Sequence, residues 1–201
     1  MPARIDPDQR RRHVVEAAFR CVVAEGIDGA SLRKVAAEAG LNIGSVRHYF
    51  DGHVDLLVAA ATEAGDRMGA RLARHPIDAF RDLTEHEALD ALQNLVEEVL
   101  PVDDERRDEA IVVVEFLLAS RLRPALAPFA GRMATDLHEV VAGALEGVGA
   151  PNPEDAARQL TSLIGGLTID TVTPHGALSV EQLRRTLRDH LRLLLTQCVR
   201  A

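Results

Sequence analysis

Apolar residues recur at three- and four-residue steps along nearly the whole chain, which is the spacing of one face of an α-helix. In segment 7–25, for example, Val15, Ala18, Phe19 and Val22 form one apolar stripe. Two shorter segments follow at 32–38 and 42–50, and six longer ones lie at 54–74, 86–100, 104–122, 125–147, 154–173 and 179–199. No segment keeps the two-residue alternation of a half-buried strand, so the pattern predicts an all-α fold of about nine helices.

Proline residues separate the longer segments. They stand at positions 76, 101, 124, 151, 153 and 174, at or near the joints between the predicted helices. Because a proline inside a helix costs about 3 kcal/mol, this placement supports a helix-by-helix division. The run Val112-Val113-Val114 could pass for a strand, but it lies inside segment 104–122, whose length favours a helix.

Segment 29–50 has the spacing of a helix-turn-helix motif. Such a motif needs a small residue where its helices cross, a glycine able to adopt a positive φ in the turn, and an apolar anchor on the second helix. Ala36, Gly40 and Val46 occupy these positions. An ordinary pair of helices with solvated charges is the alternative that has the same spacing.

The second helix of this motif carries candidate DNA contacts. Its outer face would present Gly44, Ser45, Arg47 and His48. Short side chains at Gly44 and Ser45 allow close approach to the major groove, and Arg47 reaches furthest. Guanine is the expected base for Arg47, because an arginine matches its O6/N7 edge.

The start of the helix before the turn is a second candidate contact. Ser31 is a favourable N-cap, and Arg33 and Lys34 lie in the first turn. The free backbone N–H groups there, with the positive end of the helix dipole, could bind a phosphate.

The run from Ser31 to Leu57 resembles the N-terminal signature of the tetracycline-repressor (TetR) family, which contains an aromatic-rich His-Tyr-Phe and a later Leu-Leu pair. Here these are His48-Tyr49-Phe50 and Leu56-Leu57. The resemblance implies that Tyr49 and His48 contact phosphates, that Phe50 packs inside, and that the outer face from position 42 to 48 reads bases.

Two positions depart from the family's commoner pattern. Arg47 stands where a tyrosine is frequent, and His53 stands where a lysine usually meets a phosphate. Arg47 adds a positive charge. An unperturbed histidine is mostly neutral near pH 7, so a phosphate contact by His53 and the loss of that contact are equal alternatives. The candidate DNA-binding residues are Ser31, Arg33, Asn42, Ile43, Gly44, Ser45, Arg47, His48, Tyr49 and His53.

The C-terminal part resembles the ligand-binding domain of choline-responsive, BetI-like members of that family, in segments 116–124, 163–168 and 187–191. This implies a helix-turn-helix DNA-binding domain over 1–53, followed by a helical-bundle ligand-binding and dimerisation domain over 54–201. In the family the last two helices pack against those of a second copy. The pair Gly165-Gly166 would permit the backbones of two copies to approach closely. Packing between helices of one chain is the alternative. The candidate dimer contacts are Leu160, Ile164, Leu167, Leu187, Leu191 and Leu194.

Polar residues within apolar helices are the candidate ligand contacts. A buried carboxylate at Glu115 needs a partner, and either a ligand or an arginine such as Arg121 or Arg158 could supply it. Thr168 and Thr171 raise the same alternatives. The full candidate set is Glu115, Phe116, Ser120, Thr168 and Thr171. Only Phe80, Phe116 and Phe129 are aromatic outside the DNA-binding part, so a cage for choline would be poor.

Charge and composition narrow the function further. The net charge is −8, yet residues 1–53 hold eight Lys and Arg against seven Asp and Glu, so the acidity belongs to the C-terminal part. Cys21 and Cys198 match no metal spacing, and neither a leader nor a membrane-length apolar stretch is evident, which predicts a cytoplasmic, disulfide-free protein. The sequence lacks Glu-x-x-His, His-Glu-x-x-His, phosphate-loop and Gly-x-Ser-x-Gly motifs, so no enzyme and no metal site is predicted.

Together with these features, the resemblance to the TetR family implies a homodimeric transcriptional regulator, and no cofactor is predicted. We expect a repressor that leaves a palindromic site on double-stranded DNA when a small molecule of unknown identity binds. Activation, or dependence on a corepressor, remains open. A helical adaptor that binds protein partners instead of DNA is a further alternative.

Overall fold

The computed structural model describes residues 6–196, so Cys198 lies outside the described residues. Within that range the chain contains helices and no strand, which confirms the all-α prediction. The described part of the chain forms nine α-helices, which are α1 (Pro7–Glu25), α2 (Leu32–Glu38), α3 (Ile43–Arg47), α4 (His53–Leu72), α5 (Glu85–Glu97), α6 (Asp104–Ser120), α7 (Ala127–Gly147), α8 (Pro153–Val172) and α9 (Val180–Thr196). Short 3₁₀ turns lie at Ile27–Gly29, Ile77–Phe80 and Pro124–Leu126.

Side-chain caps fix where several of these helices begin. Ser31 Oγ accepts from the Lys34 amide (3.3 Å) at the start of α2, and Asn42 Oδ1 accepts from the Ser45 amide (2.8 Å) at the start of α3. Before α5, Thr84 and Glu87 form a reciprocal capping box. Each cap is worth about 1 kcal/mol, which matters most for helices as short as α2 and α3.

The chain divides into two compact units. The N-terminal unit comprises the described part of Met1–Asp66 together with Ile111–Ala130, and the C-terminal unit comprises Arg67–Ala110 and the described part of Gly131–Ala201. The N-terminal unit thus extends beyond the expected limit at His53 and includes a later stretch of chain. The domain limits of 1–53 and 54–201 therefore stay a prediction.

The core of the N-terminal unit consists mainly of small aliphatic side chains from α1 to α4, joined by Val112 of α6. Phe50 is its largest fully buried member, at 1 % exposure, so the expected inward packing of this residue is found. A smaller cluster in the same unit surrounds Phe116, whose ring meets that of Phe129 edge-on at 5.2 Å.

The C-terminal unit has a leucine-rich core formed by α5, α7, α8 and α9. All six residues expected at a dimer interface belong to this core and are at most 5 % exposed; they are Leu160, Ile164, Leu167, Leu187, Leu191 and Leu194. Their stripes pack within the chain, and their role in a dimer interface stays a prediction.

A buried ion pair lies in the C-terminal unit. Glu109 is completely buried, and Arg71 donates to both of its carboxylate oxygens, with Nη1 3.0 Å from Oε1. Arg71 Nε also donates to the Glu98 carbonyl oxygen at 3.0 Å. The pair thus satisfies a carboxylate that would otherwise be strongly destabilising in the core.

Candidate nucleic-acid interface

The turn between α2 and α3 has the geometry that the sequence predicts. Gly40 adopts φ +63°, Ala36 is 3 % exposed and Val46 is fully buried. The Leu41 amide closes the turn by donating to the Ala36 carbonyl at 2.8 Å. Nε2 of His13, on α1, lies 2.9 Å from the Ala39 carbonyl oxygen and ties α1 to the end of α2.

Local hydrogen bonds shape the start of α3. Asn42 Oδ1 accepts from the Ser45 amide and also from Ser45 Oγ, at 3.2 Å. A Cβ atom at Gly44 would lie 3.2 Å from Asn42 Oδ1, which is tighter than most real contacts. Gly44 therefore leaves room for this cap, a reason that adds to the close approach expected from sequence.

The outer face of α3 is exposed. Ile43, Gly44, Arg47 and His48 are exposed, whereas Tyr49 is half-buried and meets the His48 ring edge-on at 5.1 Å. Among the described residues Arg47 has no carboxylate partner. Its guanidinium group is therefore available to an external acceptor.

The other basic side chains of this unit differ in how far they are neutralised. Arg20 pairs with Glu38 (2.7 Å) and Lys34 pairs with Glu25. Arg33, in the first turn of α2, is exposed. The guanidinium of Arg11 lies over the Phe50 ring at 5.1 Å, so α1 presents this charge close to α3.

His53 contacts the backbone of Ile27, which its position in the sequence does not predict. Its Nε2 lies 3.1 Å from the carbonyl oxygen of Ile27, in the 3₁₀ turn after α1. In the tautomer that carries its proton on Nε2, this N–H donates to the Ile27 carbonyl, which disfavours a phosphate contact through Nε2. The role of His53 in DNA binding remains a prediction.

Glu115, on α6, also contacts the backbone of Ile27. Its Oε2 accepts from the Ile27 amide at 3.1 Å, so the backbone N–H and carbonyl of Ile27 are held by Glu115 and His53; we call these three residues the Ile27 clamp. The partner of Glu115 is thus a backbone amide rather than Arg121 or Arg158. Nothing in sequence periodicity marks a contact between residues 88 positions apart.

The remaining candidate ligand contacts are satisfied locally. Phe116 is buried at 1 % exposure, and Ser120 Oγ donates to the Leu117 carbonyl at 2.7 Å. In the C-terminal unit, Thr168 and Thr171 donate to carbonyls one turn earlier on α8, at 2.8 and 2.7 Å. The three hydroxyl groups therefore need no ligand to satisfy their donors. The role of all four residues in ligand binding stays a prediction.

Helix α8 and helix α9 each have exposed residues as well. On α8 they include Ser162, Gly165, Gly166 and Ile169, of which Ile169 is 42 % exposed, and on α9 they include Leu193 at 62 % exposure. A Cβ atom at either glycine would meet nothing within 4 Å. The packing of the described chain therefore does not require glycine at these positions.

The described residues contain neither a metal-binding cluster nor a membrane-spanning helix. Across residues 6–196, no group of three or more His, Cys, Asp or Glu side chains could hold a metal ion. The described helices include no stretch with both the length and the apolar character of a membrane span.

Burial, followed by the nearby Glu38 and Glu25, raises the pKa of the Cys21 thiol, which keeps it protonated.

Comparison with known families covers most of the chain. Residues 14–60 match the model of bacterial regulatory proteins of the tetR family, and residues 88–196 match the model of the C-terminal part of BetI-type transcriptional repressors. The HTH-type transcriptional regulator PksA of Bacillus subtilis is 36% identical over 121 residues, which is 60% of this chain. That match spans 56% of PksA, so the chain aligns with little more than half the length of this relative.

Solved structures extend the likeness to nearly the full chain. A transcriptional regulator from Rhodococcus sp. Rha1 superposes with a TM-score of 0.83 at 26% identity, covering 93% of this chain and 96% of that one. The multidrug binding protein EbrR, complexed with imidazole, superposes with a TM-score of 0.64 at 30% identity, covering 94% and 93%. The fold of this chain thus occurs, over nearly its full length, in one transcriptional regulator and in one multidrug binding protein.

Proposed function

This chain belongs to the TetR family of bacterial transcriptional regulators, with a BetI-type C-terminal part, and we propose that it is a cytoplasmic repressor that binds a palindromic DNA operator as a homodimer. A small molecule bound by the C-terminal part would release it. Complete switching needs that molecule to bind one state about 5.5 kcal/mol more tightly than the other.

The observation that carries the proposal is the outer face of α3. Arg47 and His48 are exposed there, and Val46 anchors the helix beneath them. Arginine is the side chain best suited to the O6/N7 edge of guanine. The Asn42 cap and the turn between α2 and α3 hold α3 in place. An unpaired arginine on this face favours DNA over a protein partner as the ligand.

The exposed residues of α8 and α9 support the homodimer. Glycine within a helix costs about 1 kcal/mol relative to alanine, yet Gly165 and Gly166 lie in the middle of α8 with open space beside them. Close approach of a second copy would use that space and would cover Ile169 and Leu193. A two-fold dimer also matches a palindromic operator, whose half-sites lie one DNA turn, about 34 Å, apart.

The small-molecule part of the proposal rests on kinship. EbrR, which has the same fold, is a multidrug binding protein and was solved with imidazole. Glu115, Phe116, Ser120, Thr168 and Thr171 remain the candidate ligand contacts in this chain. A ligand that reaches Glu115 would compete with the Ile27 amide for its carboxylate.

Selection of genomic fragments by the purified full chain, at about 0.15 M salt, tests the proposal. We expect enrichment of a palindromic site by the wild type and by Arg81→Ala, which removes an exposed arginine of the C-terminal unit. Arg47→Ala should lose this enrichment. If the wild type enriches no sequence over random fragments, the proposed function is wrong.

A further inference from the structure

One large apolar side chain lies on the outer face of α3. Ile43 is 37 % exposed and belongs to none of the hydrophobic clusters of the described chain. Its β-branched side chain also gives α3 no gain in helix propensity over alanine. A smaller residue at position 43 would therefore give the fold nearly the same stability as Ile43.

The polar groups next to Ile43 are largely engaged. Asn42 Oδ1 accepts two hydrogen bonds, and the Ser45 hydroxyl donates one of them. Gly44 has no side chain. Ser45 Oγ keeps its acceptor lone pairs, Asn42 keeps its amide NH₂, and the first backbone N–H groups of α3 have no partner within the helix. Beside these groups Ile43 offers an approaching ligand an aliphatic side chain, whereas Arg47 offers donors one turn away.

The major groove of DNA contains one matching feature. Among the base edges exposed there, only thymine carries an apolar group, its 5-methyl group. We propose that Ile43 reads the methyl group of a thymine in each operator half-site. The inference rests on the proposed function, because it needs α3 to lie in the major groove.

The spacing of Ile43 and Arg47 sets where that thymine lies. Residues four positions apart share a helix face and are about 6 Å apart along the axis. Successive base pairs are about 3.4 Å apart, so the thymine is expected one or two base pairs from the base that Arg47 contacts.

Deoxyuridine, which lacks only the methyl group, provides the test. Each thymine of the selected operator is replaced singly by deoxyuridine, and the Kd of each duplex is measured for the wild type, Ile43→Ala and Val54→Ala. Val54 is the matched control, since it is similarly exposed, at 38 %, but lies on α4. Alanine favours a helix, so Ile43→Ala should fold, and a thermal melt checks this.

We expect one thymine per half-site whose replacement weakens binding by the wild type and by Val54→Ala about fourfold, which corresponds to exposing one methyl group. Ile43→Ala should bind that duplex and the thymine duplex equally. If every replacement affects Ile43→Ala and the wild type alike, the inference is wrong while operator recognition stands. If the wild type does not distinguish the operator from a scrambled duplex, the proposed function fails and the inference falls with it.

Discussion

Removal of the Glu115 carboxylate should loosen the Ile27 clamp. Ile27 is only 8 % exposed, and its amide donates to Glu115 Oε2 at 3.1 Å. In Glu115→Ala this amide loses its acceptor, and leaving a buried donor unsatisfied costs about 1–3 kcal/mol. Because Glu115 is itself half-buried, water can partly replace the carboxylate, and we expect a cost of about 1–2 kcal/mol.

Amide hydrogen exchange measures this cost at the bond itself. A loss of about 1–2 kcal/mol in local opening free energy corresponds to roughly five- to thirty-fold faster exchange of the Ile27 amide. For a chain of this length, the same loss lowers Tm by about 2–8 °C if it reaches global unfolding. The exchange rate and the melt together separate local from global loosening.

Two variants bracket the result. Glu115→Gln keeps a carbonyl oxygen that can accept from Ile27, so its exchange rate should lie between those of the wild type and Glu115→Ala. Arg121→Ala removes an exposed side chain just beyond the end of α6 and should leave Ile27 unchanged. Wild-type exchange of the Ile27 amide in Glu115→Ala would refute the reasoning, because the bond would then carry no free energy.

Three further predictions concern the C-terminal unit. Glu109→Ala leaves the charge of Arg71 without its buried partner and should cost about 3–5 kcal/mol in urea unfolding, whereas Glu105→Ala, at an exposed position of the same helix, should cost little. Burial raises the pKa of Glu98, but hydrogen bonds from Arg106 and His75 outweigh it, so the folded pKa is below the ordinary 4.5. Its contribution is therefore complete above that pH and is lost as pH falls through the folded value, so Tm from about pH 7 to about pH 3 should fall more steeply for the wild type than for Glu98→Gln. Gly165→Leu should convert dimers to monomers in analytical ultracentrifugation without lowering the Tm of the protomer, because its side chain enters open space.

Each of these has a clear contrary result. Equal losses for Glu109→Ala and Glu105→Ala would mean that the buried pair contributes nothing. Parallel Tm curves for the wild type and Glu98→Gln would exclude Glu98 as a source of acid sensitivity. A dimer that persists in Gly165→Leu at unchanged affinity would remove the exposed face of α8 from the interface.

The helices could be predicted from sequence because their causes are local. The three- and four-residue periodicity gives each helix its buried face, and Pro101 and Pro124 mark the ends of α6 because proline is excluded from helix interiors. The turn at Gly40 is equally local, since its positive φ is a property of one residue. These features therefore appear in the structure close to where the sequence places them.

Partners across the fold could not be predicted in the same way. An apolar stripe such as Leu187 and Leu191 shows that a helix face is buried, but not whether its own chain or a second copy covers it. Likewise, Glu115 signals a need for a partner without naming the Ile27 amide 88 residues away. Sequence reasoning on α3 identified the exposed face, but the commitment of Asn42 and Ser45 to each other required coordinates.

The most direct test of the central claim compares the Kd of the wild type and Arg47→Ala for the selected operator and for a scrambled duplex, at about 0.15 M salt. Loss of a bidentate arginine–guanine contact is worth about 1–3 kcal/mol, so operator affinity should fall roughly five- to 150-fold in Arg47→Ala while affinity for the scrambled duplex changes far less. If affinity falls equally for both duplexes, Arg47 acts only as a non-specific positive charge. That result would contradict the claim that α3 reads the base sequence.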